Sequence, residues 1–526
     1  MPRVLIADQL SEAALEVFRD RGIEAEVAVG LKPDALKARL DGVEGLAVRS
    51  ATKVTADVLA AAPSLKVIGR AGIGVDNIDV AAATQRGIVV MNTPSGNAIT
   101  TAEHALALLF ALARDIPAAD RSTRASRWEK SRFMGVELTG KTLGVIGCGN
   151  IGSIVAERAV ALKMKVLAYD PYLAEERAAG LGVRKTDLDT VLRESDFITL
   201  HVPMTEQTKG LIDARALAKT KKGVRIVNCA RGGLVVEQDL KAAIESGQVA
   251  GAALDVFAVE PAKDNPLFQL EQVICTPHLG ASTNEAQEKV ALQVAEQMCD
   301  YLLTGAVTNA LNMPSLTAEE AKRLGPYMKL AELLGSFAGQ LTETGVKRLK
   351  LEYEGEAAEL NTKPLTQVAL MGFLRPMLAE GVNMVNAPLV TRERNIEVTE
   401  SKHSRAGDYH TLLRFTVETD RRERSVAGTL FGGRKPRLVE VKGIAVEAEL
   451  SPHMLYITNL DKPGFIGAVG KIFGDAGINI ATFHLGRADA GGEAIALLGL
   501  DSAVPPELLA KVRALPNIRQ ATPLEF

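Results

Sequence analysis

The sequence predicts an α/β protein: two doubly wound domains, then an α+β domain, then a small βαββαβ module. Three observations carry that prediction. Short apolar strands alternate with helical stretches through residues 1–312. A glycine turn, Gly147-Cys-Gly-Asn-Ile-Gly152, sits between an apolar strand and a helix. Beyond Leu311-Asn-Met-Pro314 the texture changes to helices that precede or separate alternating strands. A chain of 526 residues exceeds a single core and asks for about three or four.

The elements follow in order. Val4-Leu-Ile-Ala7 reads as a strand, residues 12–21 as a helix, and Gly45-Leu-Ala-Val48 and Val67-Ile-Gly69 as buried strands. Residues 98–113 make a strongly apolar helix, long enough to link two lobes. A second series starts at Leu143-Gly-Val-Ile146. It continues through Lys165-Val-Leu-Ala-Tyr169, Phe197-Ile-Thr-Leu200, Val224-Arg-Ile-Val227, Gly251-Ala-Ala-Leu254 and Val273-Ile-Cys275. Helices at 328–340 and 365–379 and strands at 349–353 and 413–417 indicate the α+β domain. In the tail, a strand at 454–459 leads to a helix at 465–475 and a hairpin near Ala490-Gly-Gly492. A helix at 505–514 and a strand at 518–522 complete the module. The expected domains are 1–97 with 281–312, then 98–280, 313–450 and 451–526.

Composition narrows the function. Hydrophobic content of 47% and charged content of 24% are those of an ordinary globular protein. A formal net charge of -3 gives no reason to expect nucleic acid or an anionic membrane as partner. One Trp, Trp128, offers little stacking surface for bases. The N-terminus lacks a signal-peptide pattern, and no apolar run reaches the roughly 20 residues that cross a bilayer. Cys148, Cys229, Cys275 and Cys299 are scattered without metal-ligand or disulfide spacing. Free thiols in the cytoplasm are the expectation, with no metal site.

The glycine turn has the context of a dinucleotide fingerprint. Gly147 permits the tight turn, Gly149 lets backbone N–H groups approach a pyrophosphate, and Gly152 packs helix on sheet. Asp170 ends the next strand, where its carboxylate can accept hydrogen bonds from ribose hydroxyls and repel a 2′-phosphate. The alternative is a plain glycine turn beside a solvated Asp; the strand–turn–helix context favours NAD on a Rossmann-like domain. Because the fingerprint lies well inside the chain, a complete domain precedes it, and substrate is expected between the two.

Arg231, Glu260 and His278 fall at the ends of successive strands of the second series, where ligands of such sheets bind. Oxidising an alcohol needs a base for the hydroxyl proton, and His serves both directions near neutral pH. A carboxylate beside it orients the ring, and a guanidinium forks onto a substrate carboxylate. Singly, each has a bland reading as surface Arg, capping Glu or satisfied core His. Together, after a nucleotide fingerprint, they point to hydride transfer at the carbinol carbon of a small 2-hydroxy acid.

These segments, with His201-Val-Pro-Met-Thr-Glu-Gln-Thr208, Asn228-Cys-Ala-Arg-Gly-Gly233 and Pro277-His-Leu-Gly-Ala281, resemble the D-isomer-specific 2-hydroxyacid dehydrogenase family over residues 1–312. The resemblance implies catalytic roles for Arg231, Glu260 and His278. It also implies cofactor contacts from Asn150, Ile151, Asp170, Val202, Cys229, Ala230, Asp255, Gly280 and Ala281. Val236 departs from the pattern, since relatives often carry Asp there.

Segments 48–53, 69–77 and 92–97 end first-lobe elements and so face the cleft. Arg49, Ser50, Lys53, Arg70 and Asn97 are the candidate substrate contacts, and their cations exceed what one carboxylate needs, as a phosphate would require. Read alone, they fit a solvated face rather better. They resemble the long-form, phosphoglycerate-oxidising members of the family, which implies 3-phosphoglycerate as substrate, the first step of the phosphorylated route to L-serine. The tail, with Asn459-Leu-Asp-Lys-Pro-Gly464, resembles an ACT domain, and the stretch before it the intervening domain of those members. That implies a homodimer or homotetramer and an L-serine effector held by Asn459, Asp461 and Asn479, the two asparagines at adjacent strand ends. A purely structural tail stays open. So do a short-form glyoxylate or hydroxypyruvate reductase and an NAD-sensing corepressor, although neither needs two folded tail modules.

Overall fold

The computed structural model describes residues 1–343, 345–378, 381–404 and 407–526. The first sheet has five parallel strands in the spatial order Glu24–Val27, Arg3–Ile6, Gly45–Val48, Val67–Arg70, Val89–Asn92. The chain then leaves along helix Ala98–Ala113 and comes back with helix Asn284–Thr304, whose Val290, Val294 and Met298 fill the core beneath this sheet. Gly69 makes that approach possible, because a Cβ there would lie 2.3 Å from Met298 Sδ.

The second sheet has seven parallel strands. Thr142–Ile146, Lys165–Tyr169 and Arg184–Lys185 are laid down in one direction. The chain then crosses to the other side of Thr142–Ile146 and continues through Phe197–Leu200, Val224–Asn228, Val249–Leu254 and Val273–Cys275. The order reverses between Thr142–Ile146 and Phe197–Leu200, so a crevice opens beyond the carboxyl ends of these two strands. The glycine turn and His201-Val202 follow them directly.

The third unit is a six-stranded sheet under helices Ala318–Gln340 and Thr362–Leu378. Gly335 and Gly372 let the two helix backbones nearly touch: a Cβ on either would lie within 2.3 Å of a carbonyl oxygen of the other helix. The first helix starts at Ala318, not at the expected 328, because Thr317 and Glu320 form a reciprocal capping box ahead of the apolar stretch. The tail has the expected βαββαβ order, with helices Phe465–Asp475 and Pro506–Arg513 on a four-stranded antiparallel sheet. Strand His453–Leu460 is buried on both faces, since Tyr456 meets Phe337 of the third unit edge to face at 5.8 Å between ring centroids. The α/β fold class with two Rossmann-like sheets, an α+β unit and a βαββαβ module is therefore observed.

Candidate active site

The cofactor cradle follows from local backbone demands. Gly147 is left-handed (φ 90°), and a Cβ there would press to 2.6 Å from the His201 carbonyl oxygen. Gly152 lies against the loop, where a Cβ would come within 1.9 Å of Gly147 O. Gly149 caps helix Asn150–Ala161 with no side-chain bond, and the space where its Cβ would stand is empty of protein to 4 Å. The helix start thus presents uncapped N–H groups to an open cradle, which fits a pyrophosphate. Asp170 ties the cradle together, its Oδ2 accepting from Cys148 N–H and its Oδ1 from Tyr172 N–H, both at 2.8 Å. Asn150 is exposed, Ile151 and Val202 are half-buried, and Cys229 and Ala230 are buried. Burial, then the charge of Asp255, pushes the Cys229 thiol up, so it stays neutral. Ala281 is half-buried beside Gly280.

The carboxylate of Asp255, a residue expected to contact the cofactor, is held by the turn that follows it. Its side chain is fully buried, and Oδ1 accepts from Thr276 Oγ1 at 2.6 Å and Leu279 N–H at 2.7 Å. Oδ2 accepts from Gly280 N–H at 2.8 Å. Burial pushes this carboxyl up, but hydrogen bonds from His104, Thr276 and Leu279 outweigh that and hold it below the usual range. The physical reason is that the turn at 276–280 folds around the carboxylate.

His278, Glu260 and Arg231 each follow a strand end. His278 has a left-handed backbone (φ 57°), and its Nδ1 lies 2.7 Å from Glu260 Oε2. Glu260 is braced by Phe257 N–H, which donates to Oε1 at 3.0 Å. Asn228 shapes the Arg231 turn by accepting from Ala230 N–H and donating to Arg231 O at 2.9 Å. Arg231 Nε in turn reaches Asp76 of the first lobe at 2.8 Å.

On that lobe the loop 49–53 is held from beneath. Asp8 is buried and accepts from Arg49 N–H at 2.6 Å and Thr52 Oγ1 at 2.9 Å; Asn77 Nδ2 donates to Arg49 O at 2.7 Å. Arg70 donates Nη1 to Ala71 O, while its Nε is sealed from solvent with no partner among the described residues. Its pKa is pushed down to about 10, first by burial and then by the charges of Arg231 and Arg49. Three guanidiniums thus crowd one part of the cleft. Asn97 is buried at the start of helix Ala98–Ala113, its Oδ1 without a partner among the described residues. Ser50 and Lys53 are exposed. Asp8, Asp76, Asn77 and Asn228 escaped the sequence reading; their signal is a polar residue within a few positions of a strand end.

The D-isomer specific 2-hydroxyacid dehydrogenase NAD binding domain matches residues 106–280, the D-3-phosphoglycerate dehydrogenase intervening domain 323–442, and the ACT domain 453–517. The D-3-phosphoglycerate dehydrogenase of Methanocaldococcus jannaschii is 44% identical over 520 residues, covering 99% of each chain. The chain belongs to the D-3-phosphoglycerate dehydrogenase family. Another relative in this family, from Bacillus subtilis, is 42% identical over 98% of each chain. Among solved structures, the TT0316 protein of Thermus thermophilus matches 59% of the chain and 99% of its own length at 34% identity and a TM-score of 0.55. The Aquifex aeolicus D-lactate dehydrogenase, complexed with NAD and lactic acid, matches 60% of the chain and 100% of its own length at 27% identity and a TM-score of 0.53. The cofactor is NAD.

In the ACT module of this D-3-phosphoglycerate dehydrogenase family member, Asp461 Oδ2 accepts from Arg487 Nη1 at 3.0 Å and Gly491 N–H at 3.2 Å. These bonds hold the Asp461 carboxyl below its usual range, the Gly491 N–H first and then Arg487. Asn459 is buried in strand His453–Leu460, its Oδ1 without a partner among the described residues. Asn479 donates to Asp501 at 3.0 Å. The expected adjacency of Asn459 and Asn479 is not found. Strand Glu493–Leu500 lies between theirs, pairing Asn459 with Ala494 and Ile480 with Leu500, so the two asparagines sit at opposite ends of the sheet. The reason is topological: the helix after the first strand carries the chain back before the second begins.

Proposed function

We propose that this chain oxidises 3-phospho-D-glycerate to 3-phosphohydroxypyruvate with NAD, opening the phosphorylated route to L-serine. The observation that carries this reading is the nearness of Arg49 and Arg231 to the buried Arg70, taken with the His278–Glu260 pair. Two anionic groups, carboxylate and phosphate, satisfy three guanidiniums better than one does. Arg231 binds the carboxylate and Arg70 and Arg49 the phosphate. His278 accepts the hydroxyl proton while Glu260 holds its ring. Bound NAD supplies the hydride acceptor. Asp170 receives the ribose hydroxyls, and the helix start at Asn150 the pyrophosphate. Similarity over nearly the whole length disfavours a short-form reductase or a corepressor. The test is NADH formation from 3-phosphoglycerate beside glycerate, glyoxylate and hydroxypyruvate controls. Turnover of the unphosphorylated acids alone would refute it.

A homodimer or homotetramer and an L-serine effector belong to the same proposal. Ile116, Trp128 and Met134 are all more than half exposed within one stretch of the NAD-binding unit, which supports pairing there. Asp461 beside the uncapped start of helix Phe465–Asp475 suits an amino acid's ammonium and carboxylate. Asn479 reaches such a site only from a second copy, since within one chain it lies at the far end. Serine titration of activity, with light scattering for the assembly, decides both. The cytoplasm is the proposed location, supported by four free cysteines. Among the described residues no helix is long and apolar enough to cross a membrane.

A further inference from the structure

Helix Ala98–Ala113 carries the chain from the first lobe to the second, and His104 lies on it. Its Nε2 is 3.2 Å from Asp255 Oδ1 and 3.3 Å from Thr276 Oγ1. Thr276 spends its only hydroxyl proton on Asp255 at 2.6 Å, so it can only accept from His104. Nε2 therefore carries a proton and faces both oxygens. The Asp255 carboxylate is fully buried, and its other donors, Thr276 and the N–H groups of Leu279 and Gly280, are all neutral. His104 is the single basic side chain among the described residues that touches it. Asp255 also accepts the His278 N–H on its backbone oxygen at 2.9 Å, so the left-handed turn bearing His278 is anchored to this residue at both ends.

We infer that His104 is a positioning residue: by donating Nε2–H to Asp255 it fixes the carboxylate around which the His278 turn folds, coupling the inter-lobe helix to the proton-transfer group. The other ionisable groups near are the Cys229 thiol, kept neutral by burial, His278 with Glu260 on the flanking segments, and Glu103, paired with Arg158 at 3.0 Å. The inference rests on the proposed role of His278, so His278→Ala is measured in parallel. Near-normal turnover in that variant breaks the site reading itself.

The experiment compares His104→Leu, His104→Gln, Asp255→Asn and the double variant His104→Leu with Asp255→Asn. Each is assayed for kcat, KM, the pH profile and fluorescence-detected NADH binding. His104→Leu is expected to lower kcat roughly ten- to a hundredfold through misplacement of the turn, with KM for 3-phosphoglycerate changed far less. Its acid limb moves to higher pH, because Asp255 loses a group that favours its charge. His104→Gln, which keeps a donor, recovers part of kcat. The double variant is no slower than Asp255→Asn alone, since both act through one carboxylate. Wild-type kcat and pH profile in His104→Leu would overturn the inference. So would losses that multiply in the double variant. Should the Leu variant fail to fold, the same cycle with His104→Gln gives the decision.

Discussion

His278 Nδ1 lies 2.7 Å from Glu260 Oε2, and this bond leaves Nε2 of the same ring without a protein partner among the described residues. A ring held at one nitrogen and open at the other suits proton transfer to a substrate oxygen. His278→Ala is expected to lower kcat roughly a hundred- to ten-thousandfold, with NADH binding retained. Stopped-flow turnover and fluorescence titration measure the two. A variant turning over near the wild-type rate ends the assignment.

Arg70 offers a second test. Its sealed Nε and depressed pKa mark a cation short of partners. Arg70→Met is expected to raise KM for 3-phosphoglycerate roughly ten- to a hundredfold, the loss of one charge-assisted hydrogen bond. The KM for NAD should hardly move. Unchanged substrate KM would remove Arg70 from the phosphate site.

Cofactor choice rests on Asp170, tied to the glycine turn through Cys148 N–H. Asp170→Ala should weaken NAD binding and narrow the preference over NADP. Comparison of kcat/KM for the two cofactors checks this. Wild-type enzyme that used both equally would show that the carboxylate does not select.

Acid sensitivity is built in beneath the cradle. His201 Nδ1 is sealed with no partner among the described residues, and burial lowers the ring's pKa to about 4. Unfolded, the same ring titrates near 6.5, so between these values the unfolded chain binds more protons and stability falls as pH falls. The full effect is at most about 3 kcal/mol, since part of the residue reaches the surface. His201→Gln can keep the Thr199 bond, 2.9 Å in the wild type, and removes the titration. Unfolding at pH 7 and pH 5 should show a smaller acid loss in that variant; an equal loss would assign the slope to other groups.

Val236 stands at the N-cap of helix Glu237–Glu245 with extended backbone (φ -76°, ψ 108°) and no side-chain cap. Val236→Asp supplies the missing acceptor and is expected to stabilise by about 1 kcal/mol. A thermal melt measures it. A lower Tm would show that the valine packs to more purpose than a cap.

The fold class, the cofactor cradle and the three strand-end residues were legible because each is a local string. Gly147 to Gly152 needs only neighbours within a few residues, and Asp170 ends the very next strand. Arg231, Glu260 and His278 declare themselves by following apolar runs. Strand Glu24–Val27 was not legible: it is a half-exposed edge whose charged residues hide the β pattern. Contacts across the chain were beyond any local reading. Met298 beneath Gly69, Asp76 on Arg231, and His104 on Asp255 each join segments far apart in sequence. Direction along a strand decided the tail, where Asn459 and Asn479 share chemistry but stand at opposite ends of one sheet. Sequence determined which residues have the chemistry, since periodicity and turn residues act within a few positions. Tertiary structure alone decided which of them meet, because packing and sheet order, not spacing, set distances between remote segments.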